Sequence, residues 1–463
     1  MMNRRLLSAL VSAPVLAALL LGASLEGGAA PGAPSAGDPY LPVAGDGGYH
    51  VVHYGLTLSY QPRGGRLDGT AEIGATATQD LSAFDLDLSG LTVSSVRVDG
   101  RPAAFRRQGV KLRITPARSL AEGSGFVTTV VYGGVPKALR DEDGSADGWI
   151  ARRDGAVFVA SEPQGAMTWF PCNGHPVDKS AYDTTVSVPD GWTAVGNGRL
   201  LSRSSARGRT VFHWREAQPM AAYLATATIG RFQVSQYRTP AGLPVYNAVE
   251  ASEAEDAAPV LARLPEVLAW ESARFGPYPF DAAGAIVAGD PGIGYALETQ
   301  SRPVYDEAPD LDTLVHESAH QWFGDSVTLT RWGDIWLNEG FATYTEWLWD
   351  ADHGGLSTAE RFNRLYALPS GDKLWADPAG APGDMGKLFA TPSYNRGAMV
   401  LEKLRQAVGD QVFGTLLRTW TADHRYGHAT TADFTALAAS LSGQDLDGLF
   451  STWLYGKGKP AQP

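Results

Sequence analysis

His316 and His320 stand four residues apart in HESAH, and Glu339 follows nineteen residues later in the run WLNEGFATY. Side chains at i and i+4 leave the same face of a helix, so these two imidazoles can reach one zinc ion at about 2.0 Å each. Glu317 lies beside the first of them, too close in sequence to share its direction yet able to reach a water on such an ion. Zinc lowers the pKa of its water to about 7, and a carboxylate in that place can take the proton during attack on a carbonyl. The pentapeptide alone fits equally an ordinary helix whose histidines satisfy hydrogen bonds. Glu339, on what reads as a second helix starting near Leu337, changes that by supplying a third ligand. Three protein ligands leave a fourth position open, the form of a catalytic zinc site with one Zn2+ per chain.

Such a site needs a scaffold, and the chain has the length for two or three domains. From about Tyr49 to Val234 the pattern is period two. Tyr54, Leu56, Leu58 and Tyr60 alternate with polar residues, as do Phe84, Leu86 and Leu88, then Val110, Leu112 and Ile114, then Thr184, Val186 and Val188. Short strands at close spacing predict an antiparallel β-sandwich. After Arg238-Thr239-Pro240 the texture changes. Val260, Leu261, Leu264, Val267, Leu268 and Trp270 recur at helical spacing, with a possible kink at Pro265 and a stop at Phe275-Gly-Pro-Tyr-Pro-Phe280. Ala285 to Val287 reads as a short strand, and helical signals dominate from Leu311 onward. The fold class is therefore α+β and multidomain: a signal peptide and linker over 1–36, a β-sandwich over 40–235 and a mainly helical catalytic domain over 236–463.

A formal net charge of −12 argues against a sequence-independent grip on nucleic acid, and the chain holds no Lys/Arg cluster suited to an anionic membrane. Asn3-Arg4-Arg5 precedes a nearly wholly apolar run from Leu6 to Ala23, and Gly, Ala, Pro and Ser dominate from Gly27 to Gly37. This is the order of a secretory signal cleaved between Gly22 and Ala36, which predicts a secreted or extracytoplasmic protein without stable membrane insertion. An uncleaved anchor is the alternative. Cys172 is the only cysteine, so no intramolecular disulfide forms.

HESAHQWFGD…WLNEGFATY resembles the aminopeptidase-N family of zinc metallopeptidases, the gluzincin type. Further pieces match in order: Ser161-Glu162-Pro163, Trp169-Phe-Pro-Cys172, His175-Pro176, Asp178-Lys179, the Phe275–Phe280 turn, Tyr295-Ala-Leu-Glu298-Thr299, Ser393-Tyr394-Asn-Arg-Gly397-Ala398 and Trp453-Leu-Tyr-Gly456. The resemblance implies a thermolysin-like catalytic domain and an aminopeptidase acting on peptides with a free N-terminus. It implies that His316, His320 and Glu339 hold zinc, that Glu317 is the general base and that Tyr394 donates to the oxyanion. Glu298 and Glu162 would bind the substrate's α-ammonium by charge-assisted hydrogen bonds. Tyr295, Leu297 and Thr299 replace the family's glycine, methionine and asparagine, so residue preference does not carry over. Larger relatives continue into a C-terminal helical domain; this sequence stops at Pro463, which implies a more open cleft.

Other readings stay open at this point: an endopeptidase of the same fold, or a secreted binding module with a relict site. Asp325 and Glu346 are both candidates to orient a ligand histidine, Glu346 lying about two helical turns past Glu339. Trp332, Trp336 and Trp347 read as packing, His175 as structural, and His50 and His53 show no ligand spacing.

Overall fold

The structure, a computed structural model, describes residues 28–140, 144–289 and 292–461. The apolar run read as an export signal lies outside the described residues. The segment after it is sheet-bound rather than a free linker: Ala30–Pro31 runs parallel to Leu81–Asp87, and the Gly32 N–H donates to the Ala83 carbonyl at 2.8 Å.

The first half is built of three sheets. The largest runs, in spatial order, Arg199–Ala206, Arg209–Ala221, Lys179–Pro189, Tyr49–Gln61, Arg66–Ala77, Gly125–Gly134, Thr92–Val98 and Arg101–Pro102. Tyr54, Leu56, Leu58 and Tyr60 are all buried, as their alternation requires. A four-stranded sheet packs on it through Phe84, whose ring lies 5.5 Å from Tyr49 and 5.3 Å from Phe126. A five-stranded sheet joins through Trp149, 5.5 Å from Tyr60. Besides the short Ala30–Pro31 pairing, a second one departs from the antiparallel expectation. Lys179–Pro189 lies parallel to Tyr49–Gln61, and the residues between them supply the long crossover that a parallel pair needs.

The second half opens with a five-stranded sheet, Phe232–Arg238, Pro244–Glu250, Ala283–Val287, Val304–Tyr305 and Ala296–Leu297. Its first strand spans residue 235, so pairing with Pro244–Glu250 takes residues from both sides of the change in texture. Helices α1 (Ala254–Leu261) and α2 (Leu264–Phe275) lie between its strands Pro244–Glu250 and Ala283–Val287; α3 (Leu311–Ala319), α4 (Trp336–Asp352), α5 (Thr358–Tyr366) and α6 (Gly397–Val408) follow, with three more α-helices after them among the described residues. Pro265 does not kink a helix but opens one. It sits in the first turn of α2, where a missing N–H leaves no intrahelical bond unmade. Gly276 ends α2 at φ +100°.

The halves share one apolar core, with Tyr223 of the first packed 5.4 Å from Trp332 of the second. Lys179 crosses the same boundary. Its buried Nζ donates to the carbonyls of Asp325 at 2.7 Å, Ser326 at 2.9 Å and Gly427 at 3.2 Å, and burial pulls its pKa down to about 7. Lys179→Met removes a donor from three carbonyls, of which Asp325 and Gly427 keep a bond from Thr328, and is expected to cost about 1–3 kcal/mol, read by urea denaturation. Between about 7 and the unfolded value of about 10.4 the unfolded chain holds more protons than the folded one. Lys179 thus makes stability rise with pH across that window, and the substitution should remove this slope.

Helices α4 and α6 touch backbone to backbone. A Cβ added at Gly340 would lie 2.9 Å from the Gly397 Cα, and one at Gly397 would lie 2.8 Å from the Gly340 Cα. Both positions therefore need glycine, and the approach fixes the turn Pro392–Arg396 that precedes α6. Gly397→Ala is expected to cost about 1–3 kcal/mol by overpacking, measured as a shift in the denaturation midpoint at unchanged m-value.

Candidate active site

Asp310 caps α3 by accepting from the Thr313 N–H at 2.8 Å, and Leu314, Val315 and Ala319 drive one face of the helix into the core. That leaves His316 and His320 on the adjoining face, their rings edge to face with centroids 4.8 Å apart. The expected second helix begins at Trp336, one residue before the predicted start, and places Glu339 in its first turn. The carboxylate lies 3.3 Å from the His316 Nε2 and 3.4 Å from the His320 Nε2. One ligand atom from each of the three lies within 4.8 Å of the others.

The outer ring nitrogens decide whether such a cluster suits a metal. His316 Nδ1 pairs with the Glu346 carboxylate at 2.6 Å, and His320 Nδ1 with the Phe323 carbonyl at 3.0 Å. Both acceptors suit an Nδ1–H, which turns each Nε2 toward Glu339, where it can serve a zinc ion once it has given up its proton. Of the two candidates, Glu346 is therefore the one that holds the His316 ring in place. Asp325 is not: its two carboxylate oxygens find no hydrogen-bond partner among the described residues. Gly324, at φ +131°, turns the chain away after His320, and a Cβ there would lie 3.4 Å from the His320 Nδ1.

Electrostatics follow the crowding of acids. Burial works against the Glu339 charge, but the two imidazoles hold its pKa at about 2. Burial raises Glu317 to about 7 against the pull of both histidines. Tyr394 lies in the π-helical turn Pro392–Arg396, its ring stacked 6.0 Å from His316 and its phenol pushed up by burial.

Glu298 follows the edge strand Ala296–Leu297, and Glu162 comes from the first half. Glu162, Glu298 and Glu339 converge within 4.8 Å of one another. One oxygen each of Glu162 and Glu298 is buried without a hydrogen-bond partner among the described residues, and burial raises both pKa values. All seven residues singled out in the sequence line one cavity of about 390 Å³. Ile293, Tyr295, Leu297, Met385 and Phe389 form its apolar wall. Met385 and Phe389 carried no sequence signal, because their loop has no periodicity. Trp332, Trp336 and Trp347 are buried in packing, and His175 faces Asp38 at 3.6 Å.

Residues 50–224 match the Peptidase M1 N-terminal domain, and residues 296–453 the Peptidase family M1 domain. The chain is 28% identical over 322 residues to Aminopeptidase M1 of Arabidopsis thaliana, covering 65% of this chain and 36% of that one. It is 24% identical over 449 residues to Leucyl aminopeptidase of Saccharolobus solfataricus, covering 89% of this chain and 54% of that one. It therefore spans about half or less of these relatives' length. Among solved structures, the M1 zinc metallopeptidase of Deinococcus radiodurans superposes with a TM-score of 0.85 at 28% identity, over 93% of this chain and 98% of that one. A mutant of the same enzyme bound to a Tyr-Ser-Ala substrate gives a TM-score of 0.84. Each half of the chain thus matches its own M1 domain, in the order found in a two-domain relative, and the protein belongs to peptidase family M1.

Proposed function

We propose that this chain is a zinc-dependent aminopeptidase that releases N-terminal residues from peptides one at a time. The carrying observation is that Glu162 and Glu298 converge beside Glu339, each with one buried oxygen that lacks a partner among the described residues. Two like charges in a closed pocket call for a cation between them, and an α-ammonium supplies one with three donors. Relatives named as aminopeptidases support the same reading.

His316, His320 and Glu339 would hold the zinc, whose chemistry when bound is to acidify a water and polarise the scissile carbonyl. Glu317 takes the proton from the attacking water and returns it to the leaving amine. Tyr394 donates its O–H to the oxygen on which negative charge develops. Glu162 and Glu298 hold the ammonium, so the first peptide bond is the one brought to Glu317. The five apolar wall residues favour an uncharged, apolar N-terminal side chain. Export follows from the first residues of the sequence and belongs to the same proposal; no described helix is long and apolar enough to cross a membrane.

Aminoacyl arylamides, assayed with and without a zinc chelator and beside their N-acetylated forms, test the reading. Chelator-sensitive release that favours leucyl or phenylalanyl over aspartyl arylamide, and is abolished by N-acetylation, is expected. Equal cleavage of the acetylated forms would point to an endopeptidase, and zinc content without hydrolysis to a binding module.

A further inference from the structure

Glu298 lies in the loop 298–302, which has no helix or strand hydrogen bonding of its own. Where its carboxylate points depends on what ties that loop down. One set of ties comes from the first half of the chain. Asn197 Nδ2 donates to the Gln300 carbonyl at 2.8 Å, the Gly198 N–H donates to Ser301 Oγ at 2.7 Å, and the Arg302 guanidinium donates to the carbonyls of Gly196 and Gly198, with a further bond to the Tyr246 carbonyl in the second half. These fix the loop to the sandwich, but they do not set its distance from the metal ligands.

Gln321 does. It follows His320 directly and is fully buried. Its Oε1 accepts from the Ser301 N–H at 2.6 Å, and its Nε2 donates to the Glu298 carbonyl at 3.1 Å. The Tyr278 hydroxyl approaches the same Oε1 at 3.5 Å. One carboxamide thus grips the backbone on both sides of the turn at Ser301, which is held at φ +66°. Only one orientation of the amide satisfies both bonds. Glutamate would keep the acceptor and lose the donor; an apolar chain would lose both. Gln321 is not among the residues lining the cavity.

We infer that Gln321 is a positioning residue for substrate recognition: it sets the span between the zinc-holding imidazoles and the Glu298 carboxylate, and so the placing of the α-ammonium relative to the scissile bond. The inference rests on the proposed role of Glu298 in binding that ammonium.

Calorimetric titration of the full, zinc-loaded chain with two hydroxamates tests it. Leucine hydroxamate offers a metal-binding head and a free amine; 4-methylpentanohydroxamate offers the same head and side chain without the amine. Wild type should prefer the amine-bearing ligand. Gln321→Met should weaken that ligand by about tenfold, the scale of a hydrogen bond to a charged group, and leave the amine-free one within about twofold, the limit of independent sites. In a Glu298→Ala background the Gln321→Met effect should vanish. Equal loss on both ligands, or an undiminished preference for the amine, overturns the inference. A wild type with no preference overturns the ammonium site itself, and the inference with it. Should Gln321→Met fail to fold, Gln321→Glu carries the test: it keeps the bond from Ser301 and loses the amide donor to Glu298, and the same change made in the Glu298→Ala background subtracts the effect of the added charge.

Discussion

Glu317→Gln should lower kcat on leucyl arylamide by about 10²–10⁴-fold, the range for loss of a positioned general base, while zinc content stays at one per chain and KM changes little. The two side chains are nearly isosteric, so the buried slot beside His316 remains filled and α3 keeps its packing. What disappears is the acceptor. A carboxamide nitrogen donates where the carboxylate oxygen accepted, and the amide oxygen is too weak a base to hold a proton between attack and departure. Glu317 makes no hydrogen bond that fixes either ligand histidine, since those nitrogens are taken by Glu346 and the Phe323 carbonyl. The metal should therefore survive the substitution, which separates chemistry from site assembly. Loss of zinc in this variant, or kcat within tenfold of wild type, would contradict the assigned role. Glu346→Gln offers the contrasting control: it weakens a bond that orients His316 and should lower zinc affinity by about 10–100-fold.

The local parts of this design were legible in the sequence because they obey a period. His316 and His320 share a face by helical spacing alone, and the alternation of Tyr54, Leu56, Leu58 and Tyr60 gave a buried strand face. Period two carries no direction, however, so the parallel pairing of Lys179–Pro189 with Tyr49–Gln61 could not be read from it. Pro265 reads as a breaker in any helical run, and only the break after Leu261 made it a helix start. The acceptor for His320 is the Phe323 main-chain carbonyl, which no residue type announces. Glu162 and Glu298 were reached through resemblance rather than periodicity, because they meet across the two halves of the chain. Gln321, the Lys179 bridge and the Gly340–Gly397 contact are likewise tertiary: each acts on a partner remote in sequence, and their residue types are common enough to carry no signal.

Tyr394→Phe is the second large effect, an expected fall in kcat of about 10²–10³-fold, the scale of losing one oxyanion donor, at a KM within about threefold of wild type. The argument is again one of removal without rearrangement. The phenylalanine ring keeps the stack on His316 and the burial of the turn Pro392–Arg396, so unfolding midpoints should agree with wild type. Burial keeps the wild-type hydroxyl protonated well past its ordinary range, which makes it a donor at every working pH. A donor matters most when the facing oxygen carries charge, as it does in the transition state and not in the bound peptide. Loss should therefore appear in kcat and kcat/KM together. Gly397→Ala probes the same hydroxyl from behind: pushing α4 and α6 apart at Gly340 should misplace the turn and lower kcat while the O–H remains. If Tyr394→Phe left kcat within twofold of wild type and Gly397→Ala still reduced it, the turn would be serving the cavity wall and the oxyanion role would pass to another group.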